Sequence, residues 1–251
     1  MRPHVSFCPT GRVCVERVRI PDAPACLSGR IVFASDIHVN RGFSDRALER
    51  LFLRVRQAAP DLFLLGGDYA DDADGQRRFF CALKRLGPKC PALLALGNND
   101  KESLPVRALR ALAASAGANV LVNECAVVPF GAGQIAVGAL DERKYGLPRP
   151  GEVFSGANEA LYRILLSHYP FVPGEPLRVD LYLAGHTHGG QFRAFGLTPF
   201  SLGFERGYPL ILGEGRVSGA RAVVTGGVGV SRLPLRVGVA PQIHLLEFTK
   251  E

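Results

Sequence analysis

The sequence predicts a layered α/β fold with a second sheet stacked on the first, and three observations predict it. In the first half, short and nearly continuous apolar runs alternate with segments of helical periodicity, the signature of strand–helix–strand units with helices against the sheet faces. The main apolar runs end on small, polar or Gly-rich turns, which marks them as buried strands too short to be helices. From about residue 119 the pattern changes to short β segments, which suggests a second sheet and a sheet-on-sheet core with outer helices.

In chain order, the first strand is IVFAS (31–35). Behind a Ser44 cap, Ala47, Leu48, Leu51, Phe52, Val55 and Ala58 recur at helical spacing. LFLLGG (62–67) is the next strand, and Phe79, Phe80, Leu83 and Leu86 form a second helix closed by Gly87 and Pro88. After the strand ALLALG (92–97), a third helix begins near Ser103 and Pro105, runs through Val106, Leu109 and Leu112, and stops at Gly117. The β segments 120–130, 134–140, 163–167, 181–185, 221–226 and 242–248 follow, with Gly/Pro-rich connections at 141–156 and 194–217. In a compact domain such long connections are usually functional. The expected organisation is one domain over 1–251, with its core at about 30–250.

Composition bounds the function only loosely. The 251 residues are 47% hydrophobic and 21% charged, enough to bury a full core. The net charge of +7, from 25 Arg and 5 Lys against 23 acidic residues, is spread along the chain and favours anionic partners such as phosphates, nucleic acid or a lipid head-group surface. The six cysteines (Cys8, Cys14, Cys26, Cys81, Cys90 and Cys125) contain no C-x-x-C pair and are expected to be free thiols in a reducing compartment. Met1 is followed by Arg2, Pro3 and His4 with no apolar stretch, and nowhere does the chain approach the roughly 20 apolar residues of a spanning helix. The expected location is cytoplasmic, with peripheral contact at a membrane left open.

The chemistry lies at the strand ends. IVFASDIH delivers Asp36 and His38, LFLLGGDYADD delivers Asp68, ALLALGNND delivers Asn98, RILLSHYP delivers His168, and LYLAGHTHGG delivers His186 and His188. That edge is where open α/β sheets place ligand sites. Of six histidines, four fall there; His4 does not, and His244 sits in an ordinary alternating strand as a structural residue. Taken singly, D-x-H and Gly-Asp are also common turn chemistry, and Asn98-Asn99-Asp100 also reads as a helix cap. Two imidazoles crowded into one Gly-flanked turn are harder to explain as packing. Carboxylate and amide oxygens mixed with imidazoles suit Mn, Fe, Zn or Co. Seven such groups are too many for one ion, whereas two divalent metal ions sharing an Asp would satisfy them, activate a water and clamp the oxygens of a phosphoryl displacement.

In this order the motifs SDIH, GGDYAD, GNND, SHYP and GHTHGGQ resemble those of the calcineurin-like metallophosphoesterases. The resemblance runs from about residue 13 to the C-terminus. The later TGGVGVSRLPLRVGVAPQIHLLEF is similar to one branch, which holds bacterial phosphodiesterases of unassigned substrate and UDP-diacylglucosamine hydrolases. It implies a four-layer α/β/β/α sandwich. It implies one ion, most often Mn, on Asp36, His38, Asp68 and His188, and a second on Asp68, Asn98, His168 and His186, with Asp68 bridging. Asp71 matches an acidic position that orients a ligand.

One position departs. The family usually reads GNHD where this chain reads GNND, so Asn99 occupies the place of a His thought to assist the leaving oxygen. Asn donates a hydrogen bond but transfers no proton at neutral pH, which puts general-acid assistance of typically ~10²–10⁴ in doubt. A substrate with a good leaving group, such as a diphosphate expelling a nucleotide, would tolerate the change; a slow enzyme or a non-catalytic metal-bound module is the other consequence. The segment 191–215 follows the His pair, and Phe192, Phe195, Phe200, Leu202 and Phe204, with Arg193 and Arg206, either line the rim for an apolar phosphate-bearing substrate or cover the sheet. The expected partner is thus a phosphate-containing small-molecule or lipid-linked substrate. A nuclease of the same superfamily and a non-enzymatic interaction protein are the competing readings. Dispersed basic residues without interleaved stacking aromatics argue against nucleic acid.

Overall fold

A computed structural model of the chain describes residues 7–8, 12–40, 42–157, 159–171, 178–195, 197–198, 207–231 and 233–249. Fourteen strands and four α-helices are present among them: β1 (Phe7–Cys8), β2 (Cys14–Arg19), β3 (Gly29–Ala34), α1 (Asp45–Gln57), β4 (Leu62–Leu65), α2 (Ala73–Leu86), β5 (Ala92–Leu94), α3 (Asn98–Ser103), α4 (Val106–Ser115), β6 (Ala118–Val120), β7 (Glu124–Phe130), β8 (Gly133–Ala139), β9 (Tyr162–Ser167), β10 (Leu181–Ala184), β11 (Gly213–Val217), β12 (Ala220–Val224), β13 (Arg236–Val237) and β14 (Gln242–Phe248).

The chain builds the expected α/β class from two six-stranded sheets, ordered β2-β14-β3-β4-β5-β6 and β11-β12-β10-β9-β8-β7. In the first, β3 through β6 run parallel, and β14 lies antiparallel to β3. In the second, β8, β9, β10 and β12 run parallel, with antiparallel β7 and β11 at the edges. Period-two alternation explains the layering. Ile31, Phe33, Leu62 and Leu64 face the second sheet, packing with Ile135, Val137, Ile164, Leu166, Leu181 and Leu183. Val32, Ala34, Phe63 and Leu65 face the other way, onto α1, α2 and α4.

The helices follow their sequence signals. Ser44 accepts from Ala47 N at 3.2 Å to cap α1, whose Leu48, Leu51, Phe52 and Val55 are buried. Asp72 caps α2 through Gly75 N at 2.7 Å. Phe79 of α2 stacks on Tyr69 with ring centroids 4.9 Å apart, which ties this helix to the segment carrying Asp68. Outside the second sheet Val153, Phe154, Phe171 and Leu210 cover Leu165, Tyr182 and Val224. Among the described residues this fourth layer is made of turns and coil rather than α-helix.

Five expectations are corrected. The segment 242–248, expected in the second sheet with the other late β segments, is β14 and lies in the first sheet between β2 and β3. The segment 120–130 is not one strand: β6 ends in the first sheet, Asn123 takes a left-handed turn, and β7 begins in the second. The connection 194–217 contains β11. The strands at 62–67 and 92–97 end earlier, at Leu65 and Leu94, where the backbone turns, Gly67 with a positive φ of 95°. A short helix, α3, precedes the third expected helix. Among the described residues no helix is long and apolar enough to cross a membrane. Cys14, Cys26, Cys81, Cys90 and Cys125 are free thiols, while the Cys8 side chain and His4 lie outside the described residues.

His244 is buried in β14, as expected of a structural residue. Gln242 Nε2 lies 3.2 Å from its Nε2, and burial lowers its pKa to about 4 against a weak opposing influence from Glu214. Between pH 6.5 and 4 the unfolded chain therefore binds the extra proton, so stability falls as pH drops through that window, by up to about 3 kcal/mol. His244→Leu is expected to flatten that fall, measured as urea midpoints at pH 7, 5.5 and 4.

Candidate metal centre

The parallel strands of both sheets carry their C-terminal ends to one rim. Asp36 and His38 follow β3, Asp68 follows β4, Asn98 opens α3 after β5, His168 follows β9, and His186 and His188 follow β10. Asp36, His38, Asp68, His186 and His188 all adopt left-handed backbone, with φ between 51° and 67°. Each such non-Gly residue costs on the order of 1–3 kcal/mol, strain that packing must hold and that clusters where side chains are aimed at a function. Two glycines of the motifs are required by contact. A Cβ on Gly97 would sit 2.1 Å from Asp68 Oδ1, and one on Gly185 would sit 2.2 Å from Asp36 Oδ2.

The side chains converge in two overlapping groups. Ligand-capable atoms of Asp36, His38 and His188 lie within 4.8 Å of one another, as do those of Asp36, Asp68 and His168, and all of these residues are buried. His38 Nε2 is 3.1 Å from His188 Nε2. Asp68 Oδ2 lies 3.4 Å from His168 Nε2 and 3.7 Å from His38 Nε2, and so stands between the groups. His186 joins from the side, its ring centroid 5.1 Å from that of His168, while its backbone N–H donates to the Asp36 carboxylate at 3.0 Å. Asn98 meets the cluster through Tyr169, whose hydroxyl donates to Asn98 Oδ1 at 3.0 Å and whose ring packs on His186 at 3.8 Å.

Surrounding groups fix these side chains. His38 Nδ1 pairs with Asp71 Oδ1 at 2.6 Å, and Asn40 Nδ2 donates to Asp71 Oδ2 at 2.8 Å. His168 Nδ1 donates to Gly66 O at 2.9 Å. Asn99 turns toward the cluster, its Nδ2 donating to Asp68 Oδ2 at 2.6 Å and its backbone N–H to Asp68 Oδ1 at 2.9 Å. Gln191, the last residue of GHTHGGQ, staples the rim: its amide donates to Leu233 O and Leu235 O, and its oxygen accepts from Ser231 N.

Two groups escaped the sequence reading. Asp100, in the turn read as a cap, is fully buried and accepts from the backbone N–H groups of Asp68, Tyr69 and Gly97 and from Gln76 Nε2, at 2.7 to 2.9 Å. Arg236 is fully buried, its Nη2 3.2 Å from His188 Nδ1. A buried ionisable residue inside LPLR carries no periodic signal by which to find it. Of the expected rim residues, Phe192 is half-buried, and Arg193 and Phe195 are exposed. Phe200, Leu202, Phe204 and Arg206 lie outside the described residues.

Burial alone would make His38, His168 and His188 harder to protonate. In His168 the charge and hydrogen bond of Asp68 overcome it and raise the pKa to about 10; in His38 the Asp71 hydrogen bond and the charges of Asp68 and Asp36 also win. In His188 burial prevails, reinforced by His38 and Arg236, and holds the ring well below the ordinary imidazole value. Burial would likewise raise Asp68, yet the charge and hydrogen bond of His168, with His38 and Asn99, hold its carboxyl well below the usual range. Two buried carboxylates facing imidazole nitrogens are a donor set for divalent cations. The residues fit such ions: His168 Nε2 is buried and faces the Asp68 carboxylate at 3.4 Å, too long for a strong hydrogen bond.

Residues 29–190 match the profile of the calcineurin-like phosphoesterases. The chain is 32% identical to phosphodiesterase YaeI of Escherichia coli K12, over 87% of this chain and 81% of that protein. It is 30% identical to the uncharacterized protein YpbG of Bacillus subtilis 168, over 86% and 79% respectively. The crystal structure of TT1561 of Thermus thermophilus shares the fold, with a TM-score of 0.52 at 13% identity, over 80% of this chain and 90% of that one.

Proposed function

From the premise that the chain belongs to the calcineurin-like phosphoesterase family, we propose that it hydrolyses a phosphodiester or diphosphate bond with two divalent metal ions at this rim. One ion is assigned to Asp36, His38 and His188 with Asp68, and the other to Asp68, His168, His186 and Asn98. The single observation that carries the reading is the position of Asp68, whose Oδ2 lies between His168 Nε2 and His38 Nε2, where a bridging carboxylate belongs. Bound there, the ions supply Lewis-acid stabilisation of phosphoryl charge and activation of water. Mn is the first candidate, with Fe, Zn and Co chemically suited to the same donors.

The protein's own residues do the rest. Asp71 holds His38 with its Nδ1 proton turned away and its Nε2 lone pair toward the cluster, and Gly66 O does the same for His168. Asp71→Asn, which removes that charge, is expected to weaken Mn²⁺ binding about 10–100-fold, read by calorimetric titration. Asn99 spends its amide on Asp68, which favours substrates whose leaving group needs little protonation. Exposed Phe195, Leu197, Leu233 and Leu235 lie on the two stretches that Gln191 staples beside His188, and support an apolar or lipid-linked substrate with peripheral contact at a membrane surface.

The test is hydrolysis of bis(p-nitrophenyl) phosphate, p-nitrophenyl phosphate and a UDP-linked diphosphate by EDTA-stripped protein resupplied with Mn, Co or Zn. Metal-dependent turnover of the diester or diphosphate in preference to the monoester is expected. A clear monoesterase preference would contradict the substrate class.

A further inference from the structure

Three imidazoles of the cluster differ in what meets the nitrogen turned away from it. His38 Nδ1 faces Asp71 Oδ1 at 2.6 Å, and His168 Nδ1 faces Gly66 O at 2.9 Å. Both partners accept, so in the neutral rings both Nδ1 atoms carry the hydrogen and both Nε2 atoms present a lone pair to the cluster. His188 is the exception. Its Nδ1 lies 3.2 Å from Arg236 Nη2, and a guanidinium has only donors. That hydrogen bond places the lone pair on Nδ1 and the ring hydrogen on Nε2, the atom 3.1 Å from His38 Nε2 and 3.6 Å from Asp36 Oδ1.

Arg236 is not free to leave. Its side chain is fully buried, its Nε donates to Gly229 O at 2.8 Å, and its Nη2 also bonds that oxygen. The backbone N–H of Gly229 in turn donates to Asp36 O at 2.7 Å, so the same anchor fixes the strand end that presents Asp36.

We infer that the two metal positions are unequal, that the ion on Asp36, His38 and His188 is the weaker and more readily exchanged, and that Arg236 sets the difference. The inference rests on the metal reading proposed above. An ion on His188 Nε2 requires the other tautomer, whose N–H on Nδ1 points at a cationic donor, and the guanidinium charge adds repulsion. Neither penalty acts at His168, where a carbonyl accepts. Changing the group behind a ligating His alters metal affinity by about 10–100-fold, which sets the scale of the gap. Arg236 is thus a positioning residue acting through His188.

The experiment is calorimetric titration of the EDTA-stripped full chain with MnCl₂. Two classes of site, about tenfold or more apart, are expected. His188→Ala should remove the weak class and spare the tight one, and His168→Ala should do the reverse. Arg236→Met should tighten the weak class, whereas Arg236→Lys, which keeps a donor cation, should preserve most of the gap. Should Arg236→Met fail to fold by circular dichroism, Arg236→Gln, whose neutral amide can accept from His188 Nδ1–H, takes its place and is expected to narrow the gap; an unchanged gap in that variant overturns the inference. Equal sites, loss of the tight class in His188→Ala, or a folded Arg236→Met with an unchanged or weaker second class overturns the inference and leaves the metal reading standing. Folded wild-type protein that binds no Mn²⁺ removes both.

Discussion

Asp68→Ala is expected to lower metal-dependent hydrolysis of bis(p-nitrophenyl) phosphate by more than about 10³-fold, beyond the ~10²–10³ typical of losing one stabilising group. Its Oδ2 lies within 4 Å of both His168 Nε2 and His38 Nε2, and its carboxylate takes two hydrogen bonds from Asn99. Truncation removes a buried negative charge from between two imidazoles and leaves the Asn99 amide without its acceptor. The expected signature is loss of bound Mn²⁺, measured by elemental analysis, with helical circular dichroism retained. Turnover within tenfold of wild type would place the chemistry elsewhere.

Asp100→Ala is expected to act on the scaffold instead. The Asp100 carboxylate is the acceptor for three backbone N–H groups and one side-chain amide, all in the interior. Burial first, and then the charge of Asp68, push its pKa up to about 7, and the bonds from Gln76, Gly97 N and Tyr69 N oppose the rise. Removing it orphans four buried donors at roughly 1–3 kcal/mol each, partly relieved by relaxation, so the loss is on the order of 5 kcal/mol. For a chain of this size that lowers Tm by about 10–20 °C, measured by scanning calorimetry. Activity should fall with it, because the bonds to Asp68 N and Gly97 N join the two turns that present Asp68 and Asn98. A Tm shift below about 3 °C would mean that those N–H groups find other partners.

The strand ends were legible because they are chemically abnormal. Apolar runs buried on both faces leave no reason for Asp36, Asp68 or His168 to follow directly, unless the sheet edge is a site. The edge strands were not legible. In β2, CVERVR, only Val18 is buried, and β11, GEGRV, is mostly polar, because an edge strand with one wet face does not need continuous apolar character. The break between β6 and β7 was hidden for a related reason: Val120, Leu121 and Val122 remain apolar through the crossing, and only Asn123 marks the turn. Asn98-Asn99-Asp100 reads as a helix cap or a site, and the three residues open α3 with Asp100 satisfying the N–H of Gly97 while Asn99 donates to Asp68. Arg236 was not legible, since its meaning depends on the fold bringing it to His188.

The most direct test of the central assignment is the rate of bis(p-nitrophenyl) phosphate hydrolysis by EDTA-stripped protein before and after addition of Mn²⁺. Negligible turnover in the stripped protein, restored as Mn²⁺ fills the positions on Asp36, His38 and His188 and on His168, His186 and Asn98, with Asp68 between them, and not restored in Asp68→Ala, is the predicted result. Turnover that survives stripping, or that Mn²⁺ restores equally in Asp68→Ala, would contradict it.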